Sequence, residues 1–72
     1  MYELTRKARA ISDSEAGCYG RRCNACYLAH DEYKATRDKE MKELLVTLTK
    51  DEDHDVRQVA RTLLAELGEE MT

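Results

Sequence analysis

The stretch from residue 56 to residue 67 constrains this chain more than any other. Val56, Val59, Ala60, Leu63, Leu64 and Leu67 recur at steps of three and four, which lines them along one face of an α-helix. Such a face is stable only when something apolar covers it, and 72 residues must supply both the helix and its cover. With no Phe, Trp or Pro, and only the four tyrosines Tyr2, Tyr19, Tyr27 and Tyr33 as aromatics, the cover must come from Leu, Val, Ala and Met. Absence of proline favours long helices. The expectation is an all-α fold in one domain, a small helical hairpin or bundle.

The same periodicity extends upstream. Cys23, Cys26, His30, Tyr33 and Arg37 follow one another at three- and four-residue steps, and Met41, Leu44 and Leu48 continue the stripe after a slip of one residue. This predicts a long central helix from about residue 21 to residue 49. The stretch KATRDKE has no strong apolar anchor, so a break near Thr36 is the alternative, while Asp38 and Lys42 at i,i+4 favour continuity. The acidic turn KDEDHD follows, with Asp53 placed to cap a helix over 54–67 and Gly68 placed to stop it. A turn this short makes the last two helices antiparallel neighbours. At the other end, Leu4, Ala8 and Ile11 predict a short helix with a basic opposite face. In SDSEAGCYG, Gly17 and Gly20 mark a turn, and Ser12 with Glu15 has the spacing of a capping box. The chain therefore divides into a basic helix and turn (1–17), a Cys/His segment (18–30), the rest of the central helix (31–49) and the C-terminal helix (54–67).

Charge is unevenly placed. Residues 1–30 carry five basic side chains (Arg6, Lys7, Arg9, Arg21, Arg22) against three acidic ones, hence +2; residues 31–72 carry seven against twelve, hence −5. A nucleic-acid binder using its whole surface is disfavoured, which leaves only the N-terminal basic patch for such a role. Neither a signal-peptide run nor a membrane span is present, so the chain reads as soluble and cytoplasmic.

Residues 18–30, CYGRRCNACYLAH, hold all three cysteines. The spacing C-x4-C-x2-C-x3-H lets Cys23 and Cys26 meet one metal from a tight turn or helix start. Cys26 and His30 share a helix face at i,i+4. Cys18 would complete a Cys3His zinc site that staples a chain too small for a large core. Three other readings stand beside this one. An iron–sulfur cluster could use His30 or His54 in place of a fourth cysteine. Cys23 and Cys26 could form a redox couple whose thiol pKa is lowered at a helix start beside Arg21 and Arg22. The plainest reading has the cysteines as small apolar packing residues and His30 as a partly buried polar contact.

The run LLVTLTKDEDHDVRQVARTLLAELG resembles a single HEAT-type repeat over residues 41–68. Leu44, Leu45 and Leu48 fall on its first helix, Asp51 in the turn, and Val56, Arg57, Ala60, Leu63 and Leu67 on its second. Leucine-rich-variant repeats have a similar Asp and Val-Arg core, and proteins built from them can carry a cysteine-ligated iron–sulfur cluster ahead of the repeats. In HEAT repeats the Asp and Arg six residues apart help bind one unit to the next. A lone unit leaves an apolar face open, so the resemblance implies that residues 1–35 or another protein cover it.

The chain has no nucleophile–base pair, phosphate loop or paired catalytic carboxylates, and it is short for a substrate pocket. The expected function is therefore non-enzymatic. It is that of a helical interaction module acting on a larger protein complex, as an adaptor, assembly factor or inhibitor, small phage-encoded inhibitors included, or forming a homodimer. Partner-binding candidates are Arg21, Arg22, Tyr27, Tyr33, Arg37 and Met41. A metal- or redox-sensing regulator built on the cysteines, and a nucleic-acid accessory protein using the basic patch, are the alternatives.

Overall fold

The computed structural model describes the backbone of residues 5–71 and the side chains of residues 5–68. Leu4, and Tyr2 with it, lie outside the described residues. Four helices follow in order: α1 (Arg6–Ser14), α2 (Tyr19–Thr36), α3 (Lys39–Leu48) and α4 (His54–Met71). There is no strand among the described residues, and the all-α expectation holds.

Local chemistry sets most of the helix ends. Thr5 caps α1, its hydroxyl accepting from the Ala8 amide at 3.1 Å. The proposed capping box at Ser12 and Glu15 does not form, because α1 runs on through both Ser12 and Asp13. Asp13 is instead buried, its carboxylate accepting from Arg21 at 3.0 Å and from Asn24 at 2.9 Å. That partnership gives Asp13 more than a solvated turn would, and so the helix continues. Asp53 caps α4 as expected, accepting from the amides of Asp55 at 2.9 Å and Val56 at 3.2 Å. Gly68 does not stop α4, which continues to Met71. No glycine takes positive φ, so Gly68 simply follows the helix.

The central helix is broken. The Thr36 hydroxyl turns back to donate to the Glu32 carbonyl at 2.9 Å and also accepts from the Asp38 amide at 3.3 Å. Arg37 then takes the left-handed conformation, φ 61° and ψ 30°, with its amide on the Tyr33 carbonyl. Asp38 starts α3 by accepting from the Glu40 amide at 2.9 Å. The Asp38 and Lys42 spacing read as support for continuity is thus the spacing from a cap into its helix, and the Lys42 amide bonds the Asp38 carbonyl.

One core takes residues from all four helices: Ala10 from α1; Ala25, Cys26, Ala29 and Tyr33 from α2; Met41, Leu45 and Leu48 from α3; Val56, Ala60, Leu63 and Leu67 from α4. The α2 share is largely small side chains, which leaves room for the Leu, Met and Val of α3 and α4 to interdigitate with it. α1 and α2 thus help cover the hairpin formed by α3 and α4. α1 runs antiparallel to α2, with Arg6 paired to Glu32 at one end and Asp13 to Arg21 at the other. The molecule is a flat body of 41 × 28 × 13 Å, so every helix keeps an outward face.

Candidate functional site

The three cysteines occupy different environments. Cys18 is exposed and is the residue preceding α2, which begins at Tyr19 rather than near Arg21. There the backbone amides of Arg21 and Gly20, and then the two arginine charges, hold its thiol below the ordinary value. Cys23 is half-buried within the helix, and its thiol is pushed up, first by burial and then by the negative charges of Asp53, Asp55 and Asp51. Cys26 is fully buried, and its thiol is pushed up to about 12, chiefly by burial. Its Sγ donates to the Arg22 carbonyl at 3.5 Å and lies 4.0 Å from the Val56 carbonyl, inside the core.

His30 sits further along α2, 7% exposed, with Nε2 3.3 Å from Glu66 Oε2 and Nδ1 3.7 Å from Asp31 Oδ1. Nε2 is buried and makes no hydrogen bond, so the contact with Glu66 is ionic only when the ring is protonated. In this arrangement Cys18, Cys23, Cys26 and His30 do not converge. Among the described residues no group of three or more His, Cys, Asp and Glu side chains is disposed to hold a metal. A tetrahedral zinc site needs four donors around one point, and here Cys26 is packed in the core while Cys18 is exposed. Cys23 and Cys26 also lie beyond the first turn of α2. The helix-start lowering of pKa expected for that pair falls on Cys18 instead.

The basic patch is folded back on the chain's own carboxylates. Arg6 pairs with Glu32 at 3.0 Å, and Lys7 with Asp38 at 2.8 Å and Glu40 at 3.0 Å. Arg21 pairs with Asp13 at 3.0 Å, and Arg22 with Asp51 at 2.9 Å. The last pair is largely buried and two-pronged, and the same guanidinium donates to the Ala16 carbonyl. Asp51 also accepts from the Asp53 amide, and Arg57 donates to the Asp51 and Glu52 carbonyls. This network ties the α1–α2 loop, α2 and the α3–α4 turn together. Its signal in the sequence was Asp51 with Arg57; the partner at Arg22 was not legible because nothing local links residues 29 apart.

The partner-binding candidates also separate. Met41 is fully buried in the core and is withdrawn from the surface set. Arg21 and Arg22 are engaged in the pairs above. Tyr27 is 52% exposed, above a groove of about 280 Å³ between α2 and α4 that Val59, Thr62, Leu63 and Glu66 help to line. Tyr33 is 5% exposed, with the Arg37 guanidinium carbon 5.6 Å and Lys42 Nζ 6.0 Å from its ring centre. Val46, which the sequence did not single out, is 44% exposed beside them.

No helix among the described residues is long and apolar enough to cross a membrane. The chain matches no family model, and comparison with curated proteins and with solved structures gives no match.

Proposed function

We propose that the chain is a non-catalytic helical interaction module that acts on a larger protein complex as an adaptor, inhibitor or assembly factor. In this reading α3 and α4 work as a single HEAT-like unit whose inner face is covered by α1 and α2. The observation that supports it is a set of exposed side chains on the helical scaffold. Tyr27 on α2, Arg37 at the α2–α3 junction and Val46 on α3 stand exposed, while Cys26, His30 and most of the basic patch serve internal contacts. Large, rigid or cationic side chains held outward on a firm helical scaffold are what interface anchors require.

The test is site-specific photo-crosslinking, in cells producing the chain, with a benzophenone amino acid at position 27 or 46. The expected result is a discrete adduct with one protein that excess native chain competes away. Equal adducts from the exposed control positions Glu52 and Arg61, or adducts that native chain does not compete, would overturn the reading.

A further inference from the structure

The α2–α3 junction consists of two residues, Arg37 and Asp38, and one of them is strained. Arg37 holds φ 61° and ψ 30°, the only positive φ at a non-glycine residue among the described residues. Left-handed backbone costs a residue with a Cβ what it does not cost glycine. The composition of the junction does not demand a turn. Residues 34–40, KATRDKE, contain neither glycine nor proline, and Lys, Ala, Arg and Glu are good helix formers. In an unbroken helix Lys34 and Asp38, Asp38 and Lys42, and Lys39 and Glu43 stand at i,i+4 with opposite charge. The core residues agree with this register. Cys26, His30 and Tyr33 of α2 and Met41, Leu45 and Leu48 of α3 are all buried, and a straight helix over 19–48, about 45 Å long, brings the six onto one side. Bonds made by side chains hold the break instead: the Asp38 carboxylate accepts from the Glu40 amide, and Lys7 of α1 pairs with Asp38 and Glu40.

We propose that two copies of this chain exchange their α3–α4 hairpins, with α2 and α3 of each copy joined into one continuous helix. A short hinge under strain is the condition that invites such exchange. Opening the hinge exposes an α1–α2 face already fitted to Met41, Leu45, Leu48, Val56 and Leu67 of this same sequence, so the occupant that matches it is a second copy. The core contacts and the Arg22 pair with Asp51 are then remade between chains, and residue 37 becomes helical. The exchange is independent of any partner protein, and it gives a structural meaning to the apolar stripe that runs from Cys23 to Leu48 in the sequence and is interrupted in the closed chain.

The experiment is to unfold the full chain in urea, refold it at low and at high protein concentration, and separate the products by size exclusion with light scattering. Refolding at high concentration should give a dimer that persists on dilution, because release requires the core to open. Its Cα chemical shifts at residues 36–38 should be helical, whereas those of the monomer report the left-handed break. Co-refolding Arg22→Asp with Asp51→Arg should give a heterodimer in excess over either homodimer. Exchange restores the native pair at one site and a reversed pair at the other, while each variant alone sets like charges together, so the mixture forms the dimer even where neither variant folds by itself. Arg37→Gly should lower the dimerisation constant roughly 100-fold relative to Arg37→Ala, about tenfold at each of the two hinges, since glycine relieves the left-handed turn and weakens the straight helix. A chain that stays monomeric at every refolding concentration, a dimer that dissociates on simple dilution, a dimer that keeps the left-handed shift at residue 37, charge variants that show no preference for each other, or equal dimerisation of Arg37→Gly and Arg37→Ala would each overturn the proposal.

Discussion

The cysteine arrangement makes a quantitative claim about reactivity. Cys26 is fully buried with a thiol pushed up to about 12, so at about pH 7.5 its thiolate fraction is roughly 3 × 10⁻⁵, against about 0.1 for an ordinary thiol. A more basic thiolate is the better nucleophile, and with a Brønsted slope of about 0.45 this recovers roughly 40-fold. Ionisation alone then slows Cys26 by roughly 100-fold, and the need for the core to open before a reagent enters slows it further. Cys18, exposed and with its thiol held low by the start of α2, should react faster than an ordinary thiol. Cys23 should fall between them. The assay is timed maleimide labelling of the native chain with residue assignment by mass spectrometry, and a urea-unfolded control in which all three sites react alike. Comparable native rates for Cys18 and Cys26 would refute the environments described here. Joint protection of all three thiols, with one equivalent of zinc released as they are modified, would refute the arrangement itself and restore a Cys3His site.

Three further outcomes follow from the same structure. The Cys26 proton is held more tightly in the fold than in the unfolded chain, where the ordinary value is 9.0. Its contribution to stability is therefore complete below about pH 9 and is lost as pH rises towards about 12; urea melts across that range should show the decline, and Cys26→Ala should flatten it. Asp53→Ala removes the acceptor for two amides of α4 and should cost about 1 kcal/mol in urea unfolding, with Asp53→Ser retaining most of it. For the buried pair of Arg22 with Asp51, thermal melts of Arg22→Met and Asp51→Leu should each show a large loss. The double variant should recover much of it, since removing one partner strands the other charge.

The parts of the fold that were legible in the sequence are those whose cause is local. The α4 stripe from Val56 to Leu67 repeats without interruption, and Asp53 stands where a cap belongs, so both were read correctly. The α2–α3 break was only half legible, because Thr36, Arg37 and Asp38 each tolerate a helix and the stripe bridges them with one slipped residue. That slip, with Thr36 and Asp38 both able to bond nearby amides, was the available signal. The end of α4 misled because a glycine weakens a helix by only about 1 kcal/mol and does not by itself end it. The cysteine spacing is ambiguous for a deeper reason. Steps of three and four that place metal donors on one face are equally the steps that place small side chains in a core, and only burial decides between them. Cys26 and His30 did share the inward face; Cys18 and Cys23 followed the helix start and the acidic turn instead.

Charge was the feature whose meaning changed most between sequence and structure. The sequence divides into a basic first part and an acidic remainder, a pattern that resembles a patch and a repulsive tail. Folding brings the two together: Arg6 reaches Glu32, Lys7 reaches Asp38 and Glu40, and Arg22 reaches Asp51. Exposed pairs such as the first two are individually weak, because water screens them and long side chains lose freedom in making them. Their effect lies in specificity, since a wrong pairing of four short helices would set like charges together. α1 carries Arg6 and Lys7 towards α2 and the start of α3, where they meet the three carboxylates of Glu32, Asp38 and Glu40. The N-terminal charge that the sequence offers as an open patch is therefore largely spent on holding α1 to α2 and α3.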